Sequence, residues 1–215
     1  MAAQNLSNLA NNAAYANEID MAEHCLAQLE KLSGQLDEPL IELRLASSRG
    51  QFLLHRGQFA EAVTWFRREL AIAQQMRDES QIGIGHFLLA TALTGMGNLC
   101  EAARQFVDAI NLLSKSNSRM ELCNALEAFA FWCSNNGDDY SAVMLCAATL
   151  SAREKIGFPV GAQAKEARRR ALEASDKSLD RSLHERANAA GERTTLADAV
   201  ALALQLAASR KGTSD

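Results

Sequence analysis

The sequence has few of the residues that interrupt helices or favour strands. Only 2 of its 215 residues are proline and only 6% are aromatic, whereas alanine and leucine are abundant. This composition favours helices over strands. No apolar run approaches the roughly 20 residues that span a bilayer, so no membrane span is expected. The first twenty residues have neither a basic start nor an unbroken apolar run, and no signal peptide is expected there.

The sequence also lacks a basic excess and paired cysteine motifs. Its formal charge is −4, which argues against direct nucleic-acid binding because proteins that bind phosphate backbones usually carry a strong positive charge. The 5 cysteines are odd in number and form no C-x-x-C pair, so neither a disulfide framework nor a zinc site is expected. We therefore interpret them as small core residues of a cytoplasmic protein.

A period of 40 residues runs through the chain. Glycines stand at positions 57, 97 and 137, so the spacings are 97 − 57 = 40 and 137 − 97 = 40, and Asn17 lies one period earlier. Glycine and asparagine tolerate the left-handed conformation that a tight turn often needs. Two further columns with the same period hold small residues, which suggests close packing between paired helices: Ala10, Gly50, Ala90 and Ala130, and Ala22, Ala62, Ala102 and Ala142.

Each repeat contains two stretches with the apolar spacing of a helix. Residues 40–56 and 59–73 show this spacing on either side of Gly57, and the second stretch leaves Glu61, Arg67, Arg68 and Glu69 for water. Residues 78–81 and 118–121 match the capping box that begins many helices. Pro39 and Pro159, three periods apart, are expected in first helical turns, where a missing amide proton costs little.

These patterns predict an all-α fold, an α-solenoid of about five antiparallel helical hairpins with a C-terminal capping helix. Residues 1–156 would form four units, near 1–34, 35–76, 77–116 and 117–156. Residues 157–215 would form a fifth, degenerate hairpin and the capping helix. Thr195 to Asp198 would begin that last helix, which solenoid ends need as a cover. Its apolar face would consist of Leu196, Val200, Leu202, Leu204 and Leu206.

The stretch GNLCEAARQFVDAI, from Gly97 to Ile110, resembles the second-helix half of a tetratricopeptide repeat. The matching positions are Gly97, Leu99, Ala102, Phe106, Ala109 and Ile110. The small residues at positions 50, 90 and 130 are similar to that family's small position in the first helix. Because that family usually repeats every 34 residues and HEAT and armadillo units are near 40, the period alone leaves the repeat family open.

The C-terminal quarter is similar to the helical region of large bacterial ATP-dependent transcription activators. The similar segments, AATLSAREKIGFPV and RANAAGERTTLADAVALALQLA, lie within residues 147–207. In that family a helical array follows a nucleotide-binding switch domain, but this sequence has neither a phosphate loop nor a convincing DNA-reading segment. The resemblance therefore implies either a free-standing relative or a piece of a larger regulator.

No linear motif of catalysis, metal binding or cofactor binding is present. The four histidines have no ligands at metal-site spacing, and no nucleophile elbow of the type G-x-S-x-G occurs. We therefore expect a non-enzymatic protein without a cofactor, and a hydrolase or transferase on a helical scaffold is the disfavoured alternative. Arg168, Arg169 and Arg170, flanked by Glu166 and Glu173, are interpreted as a solvated helix face, with an acidic partner or nucleic acid as alternative contacts.

The first helices of successive repeats are expected to line a concave groove that binds a protein or peptide partner, in regulation or signalling. The alternative is a ligand-sensing arm of a signal-transduction ATPase-type regulator that takes a small-molecule inducer. Whether Phe87 and Phe131 face groove or core stays open, as does the oligomeric state. The predicted groove residues are Arg44, Ser47, Gln51, His55, Phe87, Thr91, Asn124, Glu127 and Phe131.

Overall fold

The computed structural model describes residues 1–36, 38–116 and 118–209. These ranges contain eleven α-helices and no strand, which confirms the predicted all-α class. Residues 210–215 of the predicted capping region lie outside the described residues. The helices are α1 (Ala2–Tyr15), α2 (Ile19–Gln35), α3 (Pro39–His55), α4 (Phe59–Met76), α5 (Glu79–Gly95), α6 (Leu99–Lys115), α7 (Arg119–Asn135), α8 (Asp139–Ile156), α9 (Ala162–Ser178), α10 (Arg181–Arg193) and α11 (Leu196–Ser209).

The first eight helices form four consecutive hairpins with the predicted 40-residue repeat. We call α1, α3, α5 and α7 the first helices and α2, α4, α6 and α8 the second helices. Asn17 (φ 60°), Gly57 (φ 74°), Gly97 (φ 77°) and Gly137 (φ 81°) join them in the left-handed conformation. Most L side chains are strained in this conformation, whereas glycine and asparagine tolerate it, so the presence of one or the other in each turn follows from the backbone geometry.

The small columns lie at helix contacts. Every alanine of both columns is buried, and so is Gly50. A Cβ added to Gly50 would come within 2.5 Å of the Phe66 ring, which belongs to the second helix of the same hairpin. The residue seven positions before each turn is therefore small because the two helices of a hairpin pack closely there.

The principal core begins at the end of α3 and runs through α4 to α8. Its largest buried side chains include Phe66, Phe106, Phe129 and Trp132, and the Phe106 and Phe129 rings meet edge to face at 5.3 Å. The first hairpin packs through two smaller clusters, centred on Leu26 and on Leu29. The array therefore has one large core and a more separate N-terminal end.

Side-chain caps agree with the sequence at some helices and differ at others. Asp78 accepts a hydrogen bond from the Gln81 amide (3.1 Å), and Thr195 accepts one from the Asp198 amide (3.1 Å), as predicted. Ser118 makes no cap, because its hydroxyl is hydrogen-bonded to those of Ser116 and Ser80 instead. Pro39 begins α3, but Pro159 lies in the connection before α9 and not in a first helical turn.

The last three helices depart from the regular hairpin order. α9 packs against α7 and α8 and reaches α1, whereas α10 packs along α8. α11 lies against α6, α7 and α8, where Ala199, Ala203 and Ala207 are its buried residues. The predicted apolar residues of α11 are partly buried and pack on the principal core around these alanines. α11 thus covers the third and fourth hairpins.

Candidate functional site

The predicted groove lies where the four first helices approach α9. Five of the nine predicted groove residues line one cavity of about 30 Å³, which has room for a water molecule or two. They are His55, Phe87, Thr91, Asn124 and Phe131. Tyr15, Leu54 and Ala128 complete the solenoid side of this cavity, and the other side is formed by residues 163, 164, 166, 167 and 170 of α9. The groove therefore contains a helix of the same chain.

Phe87 and Phe131 differ in whether they face the core or the groove. Phe87 is 2% exposed and belongs to the principal core, although it also touches the cavity. Phe131 is partly buried and faces the Arg170 guanidinium of α9, which lies 5.9 Å from its ring centre. Phe131 is thus the aromatic residue of the groove, and Phe87 supports the groove from beneath.

α9 runs in the same direction as α7, as three contacts along its length show. Arg168 lies 3.9 Å from Glu127, Arg170 lies over Phe131, and Ser175 bonds Asp139 at the start of α8 (3.3 Å). These three contacts follow one another in the same order along α9 and from α7 to the start of α8. α9 therefore packs parallel to α7.

Glu127, a predicted groove residue, is held in a buried ion pair. Its two carboxylate oxygens accept hydrogen bonds from the Arg153 guanidinium at 3.0 and 2.9 Å, and both side chains are at most 2% exposed. Arg153 also donates to the Asn124 amide oxygen at 2.5 Å. Bidentate geometry of this kind compensates the desolvation of the two charges. Sequence reasoning missed Arg153 because nothing in its neighbourhood distinguishes it from the exposed charges of α8.

The basic run of α9 is only partly solvated, contrary to the prediction for all three arginines. Arg169 is exposed and pairs with Glu166 and Glu173, as expected of a solvated face. Arg168 instead donates to the Cys146 carbonyl, and Arg170 to the Leu54 carbonyl (3.3 Å). These two point into the groove because successive helical residues turn by about 100° and cannot all face water.

The Glu166 carboxylate links the exposed and buried parts of this run. Burial raises its pKa, but hydrogen bonds from Arg169 and Arg170 outweigh that effect and lower the pKa of Glu166 to about 2. His55 lines the same cavity as Glu166. Its ring packs edge-on against that of Tyr15, with 5.6 Å between the ring centres, and its buried Nδ1 has no hydrogen-bond partner among the described residues. Burial lowers the pKa of His55.

The end of α9 is held by hydroxyl groups. Asp139 accepts hydrogen bonds from Ser134 on the solenoid (2.9 Å) and from Ser175 and Ser178 on α9. Ser175 also donates to the Ala171 carbonyl within its own helix (2.8 Å). The carboxylate therefore contacts both the solenoid and the helix in the groove.

The remaining predicted groove residues, Arg44, Ser47 and Gln51, lie on α3 outside the cavity. They are partly buried, and Gln51 donates to the Ser47 hydroxyl at 3.2 Å.

Ser47 is near Glu69 of α4, which the sequence predicted to face water. That prediction is wrong, because Glu69 is 1% exposed and neither of its oxygens has a hydrogen-bond partner among the described residues. Burial raises the pKa of Glu69 to about 8, and the Ser47 hydroxyl offsets only part of this effect.

A second, more open cleft of about 570 Å³ lies between the ends of α6 and α8 and the start of α11. Its apolar lining residues are Leu113, Leu122, Ala152, Ile156, Leu196 and Val200. Arg119 and Lys155 stand at its edge and are exposed. Its size lies within the range of small-molecule pockets.

The described residues hold neither a metal-binding cluster nor a reactive buried thiol. They contain no group of three or more His, Cys, Asp and Glu side chains arranged to hold a metal ion. Four of the five cysteines are buried, and burial raises the pKa of Cys123 to about 11 and that of Cys146 to about 12, which leaves these thiols protonated. Within the same residues, every helix is too short or too polar to cross a bilayer.

No protein-family model, curated protein or solved structure matches this chain. The resemblances to tetratricopeptide repeats and to the bacterial activators therefore remain predictions.

Proposed function

We propose that this chain is a non-enzymatic interaction module that binds a segment of a protein partner in the groove along its first helices, in regulation or signalling. One observation carries the proposal: the groove already holds a helix, α9, through residues of α1, α3 and α7. A surface that packs against a helix of the same chain has the shape and the hydrogen-bonding groups to bind another.

The groove is suited to recognition because its polar groups are fixed. Arg153 holds Glu127 and Asn124, and Ser134 holds Asp139, so these acceptors are already oriented before a guest arrives. Pre-oriented groups lose little freedom on binding. Phe131 adds an aromatic surface for a cation or an apolar side chain. A cytoplasmic location forms part of the proposal and is supported by the buried, protonated thiols.

The test compares partner capture by the wild type, by a groove variant and by a matched control. The groove variant is Arg44→Ala with Phe131→Ala, and the control is Arg104→Ala with Leu150→Ala, which removes the same kinds of side chain from exposed positions of second helices. We expect the groove variant alone to lose a partner whose contact site maps to the first helices by cross-linking. Equal capture by all three proteins would contradict the groove assignment.

A ligand-sensing arm of a transcription regulator is a second candidate, and the open cleft beside α11 favours it. An apolar lining with Arg119 and Lys155 at the edge suits a small molecule with an apolar body and an anionic group. A thermal-shift screen of such carboxylates tests this function, with Lys155→Ala as the cleft variant and Lys165→Ala on α9 as the control. Stabilisation that survives in the cleft variant would speak against this site.

A further inference from the structure

α9 fills the groove with small side chains. Among the described side chains of this helix, those that are almost completely buried are Ala164, Ala171 and Ser175, and Ala171 belongs to the principal core. Leu172 is its one large aliphatic residue, and it is partly buried. Hydrophobic stabilisation grows with the apolar area removed from water, so this face contributes far less than the phenylalanines and leucines between the hairpins. Polar contacts therefore account for much of the docking of α9.

The carboxylates at the contact between α9 and the solenoid keep hydrogen bonds from their own side when the two separate. Glu127 keeps both hydrogen bonds from Arg153 of α8 if Arg168 leaves. Glu166 keeps its bonds from Arg169 and Arg170, which belong to α9 itself. Asp139 likewise keeps the bond from Ser134. Because an unpaired buried charge is the usual penalty for separating polar surfaces, separation here avoids that penalty.

Two non-helical segments separate α9 from α8 and from α10. Before it lies the connection GFPVG, residues 157–161, in which Gly157 has a φ of 72°. After it, Leu179 and Asp180 lead into α10, which stays packed on α8 where Gly191 lies against the Met144 backbone. Hinges of this kind consist of a few residues that absorb the change in backbone angles.

We propose that α9 is a displaceable internal ligand of the groove. The partner that replaces it is a helix of the same chemistry, with one face of alanine and serine and with arginine side chains that reach Glu127 and the Leu54 carbonyl. This inference rests on the proposed function, because it names the class of partner that the groove binds. Only molecules in which α9 has left the groove can bind that partner. The apparent affinity is therefore the intrinsic affinity multiplied by the fraction of molecules in which α9 is undocked.

A labelled peptide of residues 162–178 serves as the probe. The full-length Ala171→Leu variant places a larger side chain at a position that is 0% exposed, which should force α9 out of the groove. We expect this variant to bind the peptide at least about tenfold more tightly than the wild type, by fluorescence anisotropy, because its groove is vacant.

Two controls make the result specific. Lys165→Leu adds a leucine to the exposed side of α9 and should bind the peptide as weakly as the wild type. A peptide that itself carries Ala171→Leu should bind neither the Ala171→Leu protein nor the Lys165→Leu protein. The groove has no room for leucine at this position, whether it belongs to α9 or to the peptide. Equal affinity of the wild type and a folded Ala171→Leu protein for the probe would overturn the proposal, as would strong binding of the leucine peptide.

Hydrogen exchange of the unmodified protein decides the matter if the Ala171→Leu variant does not fold. We expect amides of α9 to exchange through a local opening that denaturant hardly affects, while those of α7 exchange through global unfolding. Identical denaturant dependence for α9 and α7 would make α9 a fixed part of the core and overturn the proposal. Loss of the captured partner tests the proposed function separately, because it reports on the groove and not on the release of α9.

Discussion

At the residue scale, two buried carboxylates stand in opposite electrostatic surroundings. Glu127 lies beside Arg153, which donates two hydrogen bonds to it. Glu69 has no partner among the described residues, and burial raises its pKa to about 8. The first carboxylate depends on its charge for stability, whereas the second is tolerated because it is protonated at neutral pH.

Glu69 should make the protein less stable as the pH rises. Its carboxyl ionises near pH 4.5 in the unfolded chain and near pH 8 in the folded one. Between these values the folded state binds more protons, so the free energy of unfolding falls by up to about 1.4 kcal/mol per pH unit. Glu69→Gln cannot ionise and should lack this decline. Urea unfolding of both proteins at pH 5 and pH 8 measures it, and equal losses in the two proteins would contradict the expectation.

Glu127→Gln should be strongly destabilising, because it leaves the 2%-exposed Arg153 side chain without a counter-charge. Breaking a buried pair in this way typically costs about 3–5 kcal/mol. Glu42→Gln is the matched control, since Glu42 pairs with Arg68 at 2.7 Å but both side chains are 40–50% exposed, and such pairs contribute about 0–1 kcal/mol. Urea unfolding distinguishes them, and similar costs for both substitutions would refute the burial argument.

At the element scale, the turns between paired helices set the repeat. Each turn places one residue in the left-handed conformation, and three of the four are glycine. The added Cβ would meet nothing within 4 Å at Gly57, Gly97 or Gly137. The requirement for glycine is therefore one of backbone conformation and not of space.

Gly97→Ala isolates this conformational requirement. The φ of 77° should cost about 1–2 kcal/mol for an L side chain, although no atom is in its way. Gly34→Ala provides the control, because Gly34 lies within α2, outside the left-handed region, and has equally open surroundings. That substitution should stabilise by up to about 1 kcal/mol through helix propensity. Denaturant midpoints that shift in the same direction for both would contradict this account.

At the scale of the whole molecule, the described residues divide into an N-terminal hairpin and a larger block. The principal core joins α3 to α8 and includes Ala171 of α9 and the buried alanines of α11, whereas α1 and α2 depend on the two small clusters around Leu26 and Leu29. Arrays of this kind gain stability from each hairpin and its nearest neighbours. The first hairpin should therefore open before the rest.

Hydrogen exchange of two leucine-to-alanine variants should show this difference. Leu26→Ala removes a fully buried side chain of α2, so it should cost about 2–5 kcal/mol and speed exchange mainly in α1 and α2. Leu113→Ala removes an equally buried side chain of α6 and should speed exchange throughout α3 to α8. A uniform response of the whole chain to Leu26→Ala would show a single cooperative unit instead.

The candidate site was predictable only where the repeat places residues. Thr91 and Phe131 lie one period apart on first helices, since 131 − 91 = 40, and they do meet at one cavity. Tyr15 lies one period before His55, since 55 − 15 = 40, and lines the same cavity from α1. Arg153 of α8 donates a hydrogen bond to Asn124 beside the cavity, and no local pattern distinguishes it from other residues of its helix. Contacts between residues far apart in sequence depend on how the helices curve together, which single-helix spacing does not report.

The sequence by itself determined the all-α class, the 40-residue repeat and the glycine turns. Each of these follows from interactions within a few residues: apolar spacing along a helix, left-handed turns, and small residues where paired helices touch. Only the tertiary structure decided that α9 lies in the groove, that Arg168 and Arg170 face the solenoid, and that Glu69 is buried. Those outcomes depend on packing among four or more helices, because the curvature of the array fixes which faces meet.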